Sequence, residues 1–215
     1  MLFELNKLIA KILYGWASTA DLFNPYVSEH AAVDKPGASL IRRENLRRYL
    51  CERSVAPTIF LLAEAPGPWG CRFSGVPITS EQQLLDPNFP VNGEQSSVGR
   101  QPHKEYSASI YWKILEPYHQ HLLTWNTVPF HPHYIDKPFS IRTPRVSEIK
   151  QFLPLLAEIH KILEPKTVIA VGRKAEKALT MLDIDCVYVR HPSQGGATEF
   201  AKGVHQELSK MGITA

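Results

Sequence analysis

The sequence predicts an α/β domain built on a parallel sheet with helices on both faces. Three observations predict it. Four short apolar runs, Thr58–Leu62, Leu122–Trp125, Thr167–Val171 and Cys186–Val189, have the length of buried strands. Stretches of helical periodicity separate them, and strands alternating with helices imply parallel pairing through crossover helices. Each run stops at a polar or turn-rich segment. Open parallel sheets bind ligands beyond the carboxyl ends of their strands, so those four segments should meet on one edge.

The remaining elements follow in order. Leu2, Leu5, Leu8, Ile9 and Leu13 recur at helical spacing and predict an amphipathic helix packed on the domain. Glu4, Lys7 and Lys11 interrupt that stretch, so it reads as neither a signal peptide nor a membrane span. Asp34 to Ser39 is a turn-rich break. Leu40–Arg53 reads as a helix with a basic face of Arg42, Arg43, Arg47 and Arg48. After the first strand, Ala65 to about His103 is rich in Gly, Pro, Ser and Asn, with one short helix at Glu81–Leu85. A loop this long inside a compact domain is usually functional or disordered. Tyr106–His121 reads as a helix leading into the second strand. Pro129 to Pro144 is a second long loop, rich in Pro and His. Val146–Leu163 is an amphipathic helix that ends before Glu164-Pro165. Helices at Arg173–Leu182 and Thr198–Met211 follow the third and fourth strands.

The 215 residues make most simply one domain, 1–215, with an N-terminal helical extension over about 1–55. Of the chain, 44% is hydrophobic and 21% charged, which are ordinary globular values and exclude a disordered chain. A net charge of +3 permits nucleic-acid binding without arguing for it, because a binding face needs local clustering. Cys51, Cys71 and Cys186 are scattered with no Cys-x-x-Cys pair, so no zinc or iron–sulfur framework is readable and a reducing, intracellular (cytoplasmic) compartment fits. A monomer without membrane contact is expected.

Three strand-end residues carry the chemistry. Glu64 stands beside a tight Ala65-Pro66-Gly67 turn, where small residues let a ligand approach the backbone. His191, stiffened by Pro192, offers an imidazole donor to an oxygen gaining negative charge. Asn126 offers a donor and an acceptor side by side, which suits one edge of a nucleobase. Each has a plainer reading: a solvated turn Glu, a histidine satisfied by backbone, a turn-forming Asn. The case rests on all three occurring at equivalent strand ends. Gly172-Arg173-Lys174 matches neither dinucleotide nor Walker patterns and reads as a helix start facing solvent or a phosphate backbone. His131 and His133, with His119 and His121 nearby, lack the supporting ligands of a metal site, and none is expected.

These residues resemble the uracil-DNA glycosylase superfamily, whose first motif has the form Gly-x-x-Pro-Gly and whose last begins His-Pro-Ser. Here they read Ala63-Glu64-Ala65-Pro66-Gly67 and His191-Pro192-Ser193. The first looks like that of the thermophile-type members. Pro66-Gly67-Pro68-Trp69-Gly70 with Ser74-Gly75-Val76-Pro77 is similar to the single-strand-selective members. The block from Trp125 to His133, with Arg142-Thr143-Pro144, looks like a bacterial subgroup. In motif order the resemblance spans about Thr58 to Met211.

The resemblance implies a three-layer α/β/α sandwich around a four-stranded parallel sheet. It implies monofunctional, metal-independent hydrolysis of the N-glycosidic bond of uracil or a related deaminated base in DNA, without a cofactor. The base must be turned out of the stack into a pocket. Carried over, Glu64 activates the water and stabilises the cationic sugar. His191 hydrogen-bonds the departing carbonyl, and Asn126 reads the uracil edge and excludes cytosine. Ala65, Pro66, Gly67 and Ser193 would line the base pocket, together with Phe73 or Ile78.

Departures from the pattern shape the expectation. The cluster cysteines are absent. Ile78 holds the position of the base-stacking Phe, so Phe73 is the alternative stacking residue. Gly67 stands where a Tyr blocks the thymine methyl, and Gln194-Gly195-Gly196 replaces a bulky wedge, which predicts preference for single-stranded or mismatched sites. Two other functions compete: a catalytically weak nucleic-acid-binding module on the same fold, and a hydrolase of free nucleosides. The first would tolerate loss of Glu64 or His191. The second would need ribose-reading carboxylates, of which no cluster is readable.

Overall fold

The computed structural model describes residues 1–214. In chain order its elements are α1 (Leu2–Leu13), β1 (Leu22–Phe23), α2 (Ala38–Cys51), β2 (Ile59–Ala63), α3 (Cys71–Ser74), α4 (Glu81–Leu84) and α5 (Tyr106–Leu115). A 3₁₀ helix over Glu116–His121 leads into β3 (Leu122–Asn126), followed by β4 (His131–Pro132), α6 (Val146–Leu163), β5 (Thr167–Val171), α7 (Arg173–Met181), β6 (Val187–Val189) and α8 (Ala197–Lys210).

The four anticipated runs form one parallel sheet in the order β3-β2-β5-β6. Every residue of β2 is buried, as expected of a central strand covered on both faces. α1 packs on α2 and α6, α6 on α7, and α5 on α8, so helices flank the sheet. Register places Ala63 beside Asn126 and Val171 beside Val189, so neighbouring strands end level. From β2 the chain next joins the sheet at β3, on one side. From β5 it next joins at β6, on the other. The carboxyl ends of β2 and β5 therefore flank a topological switch point, the usual ligand crevice of such sheets.

Local sequence explains the ends of α5 and α6. α6 ends where Glu164 takes a left-handed conformation (φ 45°), because Pro165 disfavours the right-handed one in the residue before it. The helix expected over Tyr106–His121 tightens to 3₁₀ geometry at Glu116-Pro117, where the proline ring breaks the α-helical bonding. In α1, Leu5, Ile9 and Leu13 are fully buried at four-residue spacing and belong to the same core as the sheet. A two-residue ribbon of β1 with β4 and the short α3 had no sequence signal.

The long stretch from Ala65 to His103 is ordered by buried polar groups. The Glu81 carboxylate accepts hydrogen bonds from the backbone N–H groups of Ser96 (2.8 Å), Ser97 (2.9 Å) and His103 (3.1 Å). Asp34 accepts from Arg72 (2.7 Å) and pairs with Arg42 (2.6 Å), all three essentially without solvent. Burial alone would push the Asp34 carboxyl up. The Arg72 hydrogen bond and the two guanidinium charges outweigh it and hold the group below its ordinary value.

The basic face expected on α2 is corrected by these contacts. Arg42 is buried against Asp34. Arg43 donates to the Tyr26 carbonyl and lies 4.0 Å over the Tyr14 ring. Arg47 and Arg48 pair with Glu44 one helical turn away, at 2.8 and 3.0 Å. These arginines are committed to intramolecular partners rather than arrayed as a phosphate-binding surface.

Candidate active site

A cleft of about 520 Å³ opens at the carboxyl edge of the sheet. Its walls are the loops after β2, β5 and β6, with the segments around Glu105 and Arg142. Glu64, Ala65, Pro66, Gly67, Ile78, His191 and Ser193 all line it.

Glu64 follows β2 directly and is half-buried. The loop after β3 braces this turn: Thr127 donates from backbone and hydroxyl to the Ala63 carbonyl (2.8 and 2.7 Å), and the Val128 N–H donates to the Glu64 carbonyl (3.0 Å). Burial raises the Glu64 carboxyl above its ordinary value, partly opposed by the charge of Lys174 at the start of α7. His131 fixes the same turn. A backbone carbonyl only accepts, so His131 Nδ1 donates to Pro66 O at 2.8 Å. Burial pushes this imidazole down to about 4, so it stays neutral.

His191 is held by the turn it begins. The Ser193 backbone N–H lies 3.2 Å from His191 Nδ1, and Ser193 Oγ lies 2.8 Å from the same nitrogen. A backbone N–H only donates, so Nδ1 accepts and the proton of the neutral ring sits on Nε2. Burial lowers the His191 value further, which keeps the ring neutral. The result is an N–H donor beside a cleft that also holds a carboxyl.

Asn126 is buried at the end of β3 and is not among the cleft's wall residues. Its Nδ2 approaches Sγ of Cys71, a wall residue, at 3.6 Å, and its Oδ1 has no hydrogen-bond partner among the described residues. A buried amide oxygen left unpaired costs about 1–3 kcal/mol.

Of the two candidates for stacking, the structure brings Ile78 to the cleft and not Phe73. Ile78 lines the wall in a left-handed conformation (φ 43°), where a β-branched residue is strained by about 1–3 kcal/mol. The Trp112 indole N–H holds it there by donating to the Ile78 carbonyl at 2.9 Å. Phe73 is fully buried in an aromatic cluster. It stacks on Trp69 and Phe139 and has the His103 ring 4.0 Å away and the Arg72 guanidinium 4.1 Å over its face. Packing with His103 and Phe139, which are distant in sequence, joins the local contacts of Trp69 and Arg72 in drawing it away.

The four histidines do not gather. His119 and His121 precede β3 whereas His131 and His133 follow it. Among the described residues no group of three or more His, Cys, Asp or Glu is placed to hold a metal. Cationic groups at the cleft come instead from the far loops: Arg173, 3.8 Å over the Tyr188 ring and bonded to Glu176, and Arg190, donating to the Gln194 carbonyl. Arg142 is buried and spent on Glu148 at 2.7 Å. Glu105, Ser107 and Tyr188 also line the cleft and were not singled out from sequence. Among the described residues no helix is long and apolar enough to cross a membrane, and the three cysteines are free.

Comparison with known proteins bears on the family and the fold. The family model described as "Uracil DNA glycosylase superfamily" matches residues 53–207. The crystal structure of wild-type Pedobacter heparinus SMUG2 superposes with a TM-score of 0.61 at 14% identity, covering 97% of each chain. That likeness speaks to the fold. No curated protein matches the chain.

Proposed function

The chain belongs to the uracil DNA glycosylase superfamily, and on that premise we propose that it hydrolyses the N-glycosidic bond of uracil or a related deaminated base in DNA. The observation that carries the reading is the pairing of Glu64 with a neutral, Nε2-protonated His191 in one cleft at the switch point of the sheet.

The chemistry follows from charge. As the C–N bond breaks, the sugar becomes cationic and the base anionic. The Nε2–H of His191 donates to the carbonyl oxygen that gains the negative charge, a contact stronger in the transition state than in the ground state. The Glu64 carboxylate holds the attacking water, accepts its proton and opposes the sugar's positive charge. Asn126, set behind the wall residue Cys71, is assigned the base edge by the family pattern, its Oδ1 accepting from the base N–H and its amide donating to the adjacent carbonyl. A base carrying an amine at that carbonyl position would meet a donor with a donor, at the cost of unpaired buried groups. Arg173 and Arg190 stand at the cleft where a strand's phosphates would pass, so binding should weaken with salt.

Incubation with oligonucleotides carrying uracil, hypoxanthine, xanthine or a thymine mismatch, followed by alkaline cleavage, tests the reading. Strand scission at one or more deaminated bases is expected. Scission at none of them removes the proposal.

A further inference from the structure

The cleft holds a second carboxyl that the proposed reaction leaves idle. Glu105 stands at the N-cap of α5 and lines the wall with Ser107. Its carboxyl occupies a slot made by two glycines of the loop after β2: a Cβ on Gly67 would collide with Glu105 Oε1, and a Cβ on Gly70 with Oε2. The absence of side chains at both positions brings the carboxyl against the loop that carries Glu64.

Glu105 is poorly supplied with partners for a carboxylate. Ser107 Oγ donates to Oε1 at 3.0 Å, the single side-chain hydrogen bond to this carboxyl among the described residues. No Lys, Arg or His pairs with it among those residues, in contrast to Asp34, Glu81 and Glu148, which are each held by several donors. The titratable group packed against it is the Cys71 thiol of α3, itself pushed far up by burial. The other ionisable groups of the cleft are Glu64, His191, Arg142, Arg173, Tyr188 and Arg190. Burial raises Glu105 above its ordinary value, and the Ser107 bond only partly opposes that.

We propose that Glu105 is a specificity-determining residue that contacts the target base as a neutral acid, its O–H donating to a carbonyl oxygen of the ring. A neutral carboxyl offers a donor beside an acceptor. An ionised one offers only acceptors and would repel a carbonyl at the same place. The inference rests on the glycosylase reading for the identity of the ligand. It adds a wall residue whose carboxyl stands directly against Gly67 and Gly70.

The test measures binding of free uracil by calorimetric titration across a pH series, for the wild-type chain, Glu105→Gln and Glu105→Ala. Wild-type affinity should be full at low pH and fall as pH rises through the raised Glu105 value. Glu105→Gln keeps a donor and an acceptor but cannot ionise, so its profile should lose the Glu105 component and keep only those of Glu64, His191 and the ligand's own ionisation. Glu105→Ala should bind about tenfold more weakly at low pH, the scale of one net hydrogen bond. A purely structural Glu105 would give the wild type and Glu105→Gln the same pH profile, and that result overturns the inference, as does no uracil binding at any pH. Uracil binding with the expected profile but no release from any oligonucleotide would sink the glycosylase reading and leave the Glu105 contact standing.

Discussion

The backbone N–H of Ser193 points its proton at His191 Nδ1 from 3.2 Å. Because this donor cannot reverse its role, the neutral imidazole carries its proton on Nε2. A two-residue turn thus sets the tautomer that the proposed reaction uses, and burial of the ring keeps it neutral.

The pH dependence of base release follows from this arrangement. The proposed reaction needs Glu64 ionised and His191 neutral. Burial raises Glu64 above 4.5 and lowers His191 below 6.5. Both requirements fail on acidification, so single-turnover release should fall as pH drops through the raised Glu64 value. Glu64→Gln should show a much reduced acid limb. A wild-type rate that is flat from neutrality down to the ordinary carboxylate range would contradict the assignment of Glu64.

The same burial predicts a cost in stability. A carboxyl whose folded value is raised stabilises the fold only while protonated, and that contribution is lost as pH rises through the folded value. Glu64→Gln should therefore melt higher than wild type near neutrality. The difference should close as pH falls below 4.5, the ordinary value. Thermal unfolding at several pH values checks both the sign and the window.

Asp34 is the keystone of the long loop. Removing it leaves Arg42 and Arg72 buried without their shared counter-charge. Breaking a buried pair from one side costs about 3–5 kcal/mol. Asp34→Ala should lose stability on that scale in denaturant unfolding, whereas Arg47→Ala, on an exposed pair, should change it by about 1 kcal/mol or less. Equal effects would show that the buried cluster is not what holds the segment.

Strand preference turns on what fills the vacated stack. Gln194-Gly195-Gly196 carries no apolar side chain, so release from single-stranded and G·U sites should exceed release from matched A·U duplex, where extrusion costs a few kcal/mol more. The apolar side chain most exposed at the cleft is Ile141, 75% accessible, beside the anchored Arg142. Ile141→Ala should lower duplex release further and leave single-strand release unchanged. Parallel rates on the three substrates at one salt concentration decide it.

Much of the scaffold was legible because it is local. The four apolar runs, the periodicity of residues 146–163 and the Pro165 stop each act within a few residues, and together they place Glu64, Asn126 and the His191 turn at level strand ends. What sequence missed depends on distant pairing. Asp34 and Arg72 lie 38 positions apart, and nothing local shows that Arg42 turns inward to join them instead of binding phosphate. Phe73 followed the same logic, drawn into a stack with Phe139 from another loop. Glu105 went unnoticed because its slot is made by Gly67 and Gly70, and a missing side chain signals space only once the folded neighbours are known.

The central claim is that Glu64 and His191 act together on a base held in one cleft. Single-turnover release from a uracil-containing single strand, compared between wild type, Glu64→Gln, His191→Ala and the double variant, tests it most directly. Groups of this kind contribute about 3–4 kcal/mol elsewhere, so each single variant should lose at least about a hundredfold with its circular-dichroism spectrum unchanged. The double variant should lose less than the product of the two, as residues acting as a unit do. Wild-type release that persists at the same rate in both single variants would contradict the account.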